Sequence, residues 1–145
     1  MPTLAPYLSF DGNCSEAMRF YEKTLDGKLI ALLRNADIPG ACEALPPGNE
    51  ERIMHAYLTV GEVVIMAGDS IVGWPYEGMK GFHLTLSYDD TERGRRIYDA
   101  LADGGKVTMP WAPAFYAEGT GMLVDRYGTP WIVNGKLIDT MGGQQ

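Results

Sequence analysis

The chain is poor in metal-binding and redox side chains: two histidines, His55 and His83, and two cysteines, Cys14 and Cys42, in 145 residues. The cysteines form no CxxC and have no histidine beside them in sequence. Zinc knuckles, dithiol redox motifs and a disulfide framework are thereby excluded, and reduced structural thiols are expected. Cys14 stands at a helix start, where a thiol pKa can fall, but no base accompanies it. Long apolar runs are missing too. "VVIMAG" and "GMLVD" fall far short of the about twenty residues that cross a bilayer. The N-terminal "MPTLAPYLSF" has no basic segment ahead of an apolar one, so no secretory signal is expected and a cytoplasmic location is the default.

Positive charge is also scarce. Twelve Lys and Arg against nineteen Asp and Glu give a net charge of −7, with an isoelectric point near 4.7. Arg93, Arg95 and Arg96 share one helical stretch with Glu92 and Asp99 and read as a solvated face, so neither nucleic acid nor membrane is an expected partner. An acidic surface favours neutral or cationic small ligands over phosphates.

What is present is an ordinary globular composition, 46% apolar and 21% charged, in a length that suits one domain over 1–145. "LAPYLSF" (4–10) reads as a strand. "GNCSEAMRFYEKTLDG" reads as a helix, with Asn13 as N-cap, Glu16 completing a capping box, and Cys14, Ala17, Met18, Tyr21 and Leu25 on one apolar face. Strand "KLIALLR" and a Pro- and Gly-rich loop follow. Then come strands "IMHAYLTV" and "VVIMAG", joined at Gly61-Glu62. The order then recurs: strand "FHLTLSY", helix "DTERGRRIYDALADGG", strand "KVTMP", loop "WAPAFYAEG", strand "TGMLVD", turn "RYGTP" and strand "WIVNG". The expectation is an α+β fold of two tandem βαβββ modules, 4–67 and 82–135, with linker 68–81 and tail 136–145. One helix covers one face of a four-stranded sheet, so each module is expected to leave a bare trough, and two troughs together make a cleft.

"PYLSFDGNCSEAMRFYEKTLDGKL", "YDALADGGKVTMP" and "GMLVDRYGTPWIVN" resemble, in order and spacing, the PhnB-like branch of the vicinal oxygen chelate (glyoxalase/bleomycin-resistance/dioxygenase) superfamily. The resemblance spans about Tyr7 to Asn134. It implies paired half-barrels, frequently a homodimer, and a small-molecule site in the troughs. It also implies metal-ligand positions near Pro6, Met66, His83 and Ile132 in the metal-dependent members. Only His83 has suitable ligand chemistry here. A catalytic divalent metal needs about three protein ligands and an open position, and a thioether such as Met66 suits copper. No metal is therefore expected at these positions. Relatives of this kind are sometimes labelled as methyltransferases, but "DGGKV" ends a helix rather than opening one, and no Gly-rich cofactor fingerprint, P-loop or GxSxG is present.

Two functions follow. The first is a metal-independent small-molecule-binding protein with no resident cofactor, contacting its ligand through His55, Met66, Trp111, Phe115, Tyr116 and Trp131. In this reading His55 shares a strand face with Ile53 and Tyr57 by parity, and the "WAPAFYAEG" loop is a wall or lid, its alternative role being to cap the barrel end or a dimer contact. Trp131 faces either trough or core. The second is a lyase, isomerase or dioxygenase-like enzyme with His83 and Glu118 as catalytic groups, His55 as a substitute partner, and a divalent metal as its possible cofactor. Asp125 and Arg126 are expected to fix the "DRYGTP" turn. Trp74 and Tyr76 form an aromatic turn in the linker.

Overall fold

The structure is a computed structural model describing residues 2–139. Its first helix, α1 (Cys14–Thr24), forms because Cys14, Ala17, Met18 and Tyr21 recur at helical spacing, and all four are buried. They lie on a sheet of β1 (Tyr7–Phe10), β2 (Lys28–Arg34), β3 (Ile53–Val60) and β4 (Val63–Asp69). The strand order is β1-β4-β3-β2, with β1 parallel to β4 and the other pairs antiparallel. Alternation along the strands sends Leu8, Phe10, Ala56, Leu58, Ile65 and Ala67 beneath the helix, each at most 5% exposed. Burying each larger one contributes about 1.5–3 kcal/mol.

The pattern repeats with β5 (Leu84–Ser87), α2 (Thr91–Ala102), β6 (Lys106–Ala114), β7 (Ala117–Val124) and β8 (Pro130–Asn134), in the order β5-β8-β7-β6. Here Tyr98 and Leu101 of α2 pack over Leu123, Trp131 and Val133. The fold is therefore α+β, two βαβββ modules, and the chain divides into compact units Met1–Gly78 and Met79–Gln145. Part of the expected 136–145 tail lies outside the described residues. No helix among the described residues is long and apolar enough to cross a membrane.

Several local expectations are corrected. Asn13 makes no side-chain cap on α1. The cap comes from the far end of β4, where Asp69 Oδ1 accepts from the Gly12 and Cys14 N–H groups at 2.9 and 3.0 Å. The other oxygen of Asp69 accepts from Ile53 N at 2.8 Å. The "WAPAFYAEG" stretch is not a loop: β6 runs through Pro110 and Pro113 to Ala114, and β7 begins at Ala117. β6 is an edge strand, where a proline interrupts no ladder on its outer side, and three register shifts absorb the irregularity. On β3, Leu33 pairs with His55 but Arg34 pairs with Ile53, so Met54 is an extra residue. This bulge turns His55 away from the face that buries Ile53. His83 precedes β5 by one residue and is exposed.

Candidate functional site

In the first module the face opposite α1 carries a lateral row, Ala31–Tyr57–Met66–Tyr7, set by strand pairing. His55 adds an imidazole to that face, stacked on Tyr7 with centroids 6.2 Å apart and tilted against Tyr57 at 6.3 Å. The Tyr7 hydroxyl donates to the Met54 carbonyl at 3.2 Å. Burial raises its pKa, with the Cys14 sulfur adding to the shift, so the phenol stays protonated. Beside this row is a depression of about 570 Å³, lined by Tyr57, Met66, Pro6 and Val64 with Glu62 among them. An imidazole, two phenol rings and a thioether there offer flat, polarisable contact surface.

Cys14 does not become a nucleophile at its helix start. Its side chain is fully buried, and burial, then the neighbouring Asp69 carboxylate, push the thiol up to about 12. The Asp69 carboxylate cancels what the helix terminus would otherwise offer a thiolate.

The donors at the four positions implied for a metal do not fit a divalent cation. Pro6 offers only its carbonyl, which accepts from Met66 N at 3.0 Å. Met66 is a thioether, Ile132 is aliphatic, and His83 supplies a single imidazole. Among the described residues no three His, Cys, Asp or Glu side chains come together.

His83 and Glu118 are not brought together either. His83 lies next to the Leu84–Trp131–Leu123 level of its sheet, whereas Glu118 N donates to Lys136 O beyond the other end. Five residues of strand separate those levels along β7, roughly 16 Å. Glu118 instead accepts from the Thr91 hydroxyl at 2.8 Å. It lines a cavity of about 660 Å³ near the start of α2, with Ser87, Tyr88, Asp89 and Lys136.

The expected aromatic wall divides. Trp111 packs on the helix side, 5.3 Å from Tyr98 and directly over Gly119. Trp131 is 1% exposed, its indole N–H donating to Asp125 at 2.8 Å. Asp125 also accepts from the N–H groups of Tyr127 and Thr129, which makes the "DRYGTP" turn a polar core. Trp111 is half-buried and Trp131 fully buried, both on the α2 side of the sheet. Phe115 is 80% exposed at the β6–β7 turn, edge-on to Tyr116 at 5.2 Å. In the connecting segment Tyr76 donates to Ser9 O at 2.7 Å, and Trp74 is exposed.

Sequence spacing missed a second lateral row, Ala112–Thr120–Asn134–Ser87, on the face opposite α2. Thr120 donates to Asn134 Oδ1 at 2.7 Å, Asn134 Nδ2 donates to Ser87 Oγ at 3.2 Å, and Tyr116 reaches Thr120 at 3.4 Å. Thr120 and Asn134 are 3% and 6% exposed. The available signal was a polar residue one position out of phase with the helix-facing residues of two apolar strands.

Residues 2–134 match the sequence profile of the family described as 3-demethylubiquinone-9 3-methyltransferase. Protein YjdN of Escherichia coli K12 is 35% identical over 138 residues, 90% of this chain and 93% of that one. The crystal structure of PA1353 from Pseudomonas aeruginosa superposes with a TM-score of 0.87 at 41% identity, over 94% of this chain and 98% of that one. The PhnB protein of Bacillus cereus shares the fold at 24% identity, TM-score 0.77, over 92% and 99% of the two chains. A glyoxylase/bleomycin resistance protein/dioxygenase domain from Frankia sp. EAN1pec does so at 14% identity, TM-score 0.67, over 97% and 95%.

Proposed function

The chain belongs to the 3-demethylubiquinone-9 3-methyltransferase family, the PhnB-like branch of the vicinal oxygen chelate superfamily, and from that membership we propose that it binds a small organic molecule without a metal at the family's four positions. The observation that carries this reading is the Tyr7, His55, Tyr57 and Met66 face beside its depression of about 570 Å³. Flat rings stack on phenol and imidazole faces, and an aromatic cation gains further from the phenol rings and from Glu62. Methyl transfer, the activity in the family's description, calls for a methyl-donor cofactor, and the described residues form no Gly-rich strand–turn–helix to cradle one.

The test is a thermal-shift titration with benzyltrimethylammonium, run beside metal analysis of protein purified without chelator. Saturating ligand at about 100 times its dissociation constant adds about 2.7 kcal/mol to stability. Tyr57→Ala is expected to abolish that gain, and bound zinc, nickel, manganese or iron is expected well below one per chain. A stoichiometric metal that disappears in His83→Ala overturns the reading.

A further inference from the structure

We infer that the second module carries a ligand site of its own, at the β6–β7 hairpin, for an uncharged ring compound bearing a hydroxyl or N–H donor. Its lining comes from second-module residues alone, so it does not rest on the proposed function. The hairpin borders a depression of about 310 Å³ whose walls include Met109, Pro110, Pro113, Phe115, Tyr116 and Thr120. Among the described residues no charged side chain lines it. An anion or cation entering it would shed water and find no counter-charge, so the site selects neutral molecules. Phe115, 80% exposed, and the two proline rings supply flat apolar surface for a ring.

Polarity comes from the row behind the depression. Asn134 Nδ2 donates to Ser87, which leaves Asn134 Oδ1 as the group facing Thr120. The single proton of the Thr120 hydroxyl is committed there at 2.7 Å. Toward Tyr116 the Thr120 oxygen can therefore only accept, and the long 3.4 Å contact is Tyr116 donating. The Tyr116 oxygen is left with lone pairs and no free proton. A ligand that hydrogen-bonds to it must bring the proton itself.

The test is a chemical-shift titration of the whole chain with phenol, anisole and benzoate, which share a ring and differ in donor and charge. Phenol is expected to perturb the amides of Phe115 to Thr120 and to bind about fivefold tighter than anisole, the span of one hydrogen bond between neutral groups. Benzoate is expected not to compete. Tyr116→Phe, which removes only the phenol oxygen, is expected to bring phenol down to the affinity of anisole. Thr120→Val frees the Tyr116 proton for a ligand oxygen and is expected to raise anisole binding and narrow its gap from phenol. If that variant does not fold, Tyr116→Phe decides alone. Equal binding of phenol and anisole, tighter binding of benzoate, or no response at the hairpin overturns the site. Shifts confined to His55 and Tyr57 also overturn it, while leaving the proposed function intact.

Discussion

Asp69 holds three backbone N–H groups, those of Gly12, Cys14 and Ile53, with one carboxylate. Removing it strips a helix cap and leaves part-buried donors unmet, so Asp69→Ala is expected to lower stability by about 2–3 kcal/mol in urea denaturation. Cys14 beside it gives a pH signature. Its thiol lies higher in the fold, at about 12, than its ordinary value of 9.0. The fold thus favours the neutral thiol. That contribution is whole below about pH 9 and drains away as pH rises toward 12. Wild type is expected to lose more stability than Cys14→Ala between pH 8 and pH 10.5 in matched urea melts; equal losses would contradict the assignment. Neither residue's role was legible in local sequence. A cap supplied from 55 residues away has no spacing signature, and Asn13 stands at the N-cap position without its side chain making the cap bond.

At the level of elements, period alone recovered the helices and most strands, because α1 and α2 bury single faces and the strands alternate cleanly. β6 escaped because its prolines signal a loop, and only its edge position in the sheet makes them tolerable. The Thr120–Asn134–Ser87 row escaped for a related reason: its members become neighbours through register, which lies outside any one segment. The bulge at Met54 similarly defeated the parity that grouped His55 with Ile53. Close packing between α2 and its sheet yields a sharp prediction. A Cβ on Gly119 would sit 2.5 Å from Trp111 Cζ2, and Trp111 is itself held against Tyr98. Gly119→Ala is expected to cost about 1–3 kcal/mol and to shift tryptophan emission. An unchanged spectrum and melting curve would mean that the indole has room to move.

Across the whole chain, an excess of seven negative charges opposes nonspecific aggregation at neutral pH, and that repulsion vanishes near pH 4.7. Turbidity is expected to peak there and to clear above about pH 6. The two modules share a strand order but anchor their helices differently. The start of α2 is held by Asp90, which accepts from N–H groups two and three residues ahead. The start of α1 waits for a carboxylate 55 and 57 residues downstream. Closing the longer span costs about 2–3 kcal/mol more chain entropy than closing the short one. During refolding the later-synthesised half is therefore expected to protect its helix amides first. The earlier half gains comparable protection only after β4 has arrived, a lag that pulse-labelled exchange can time.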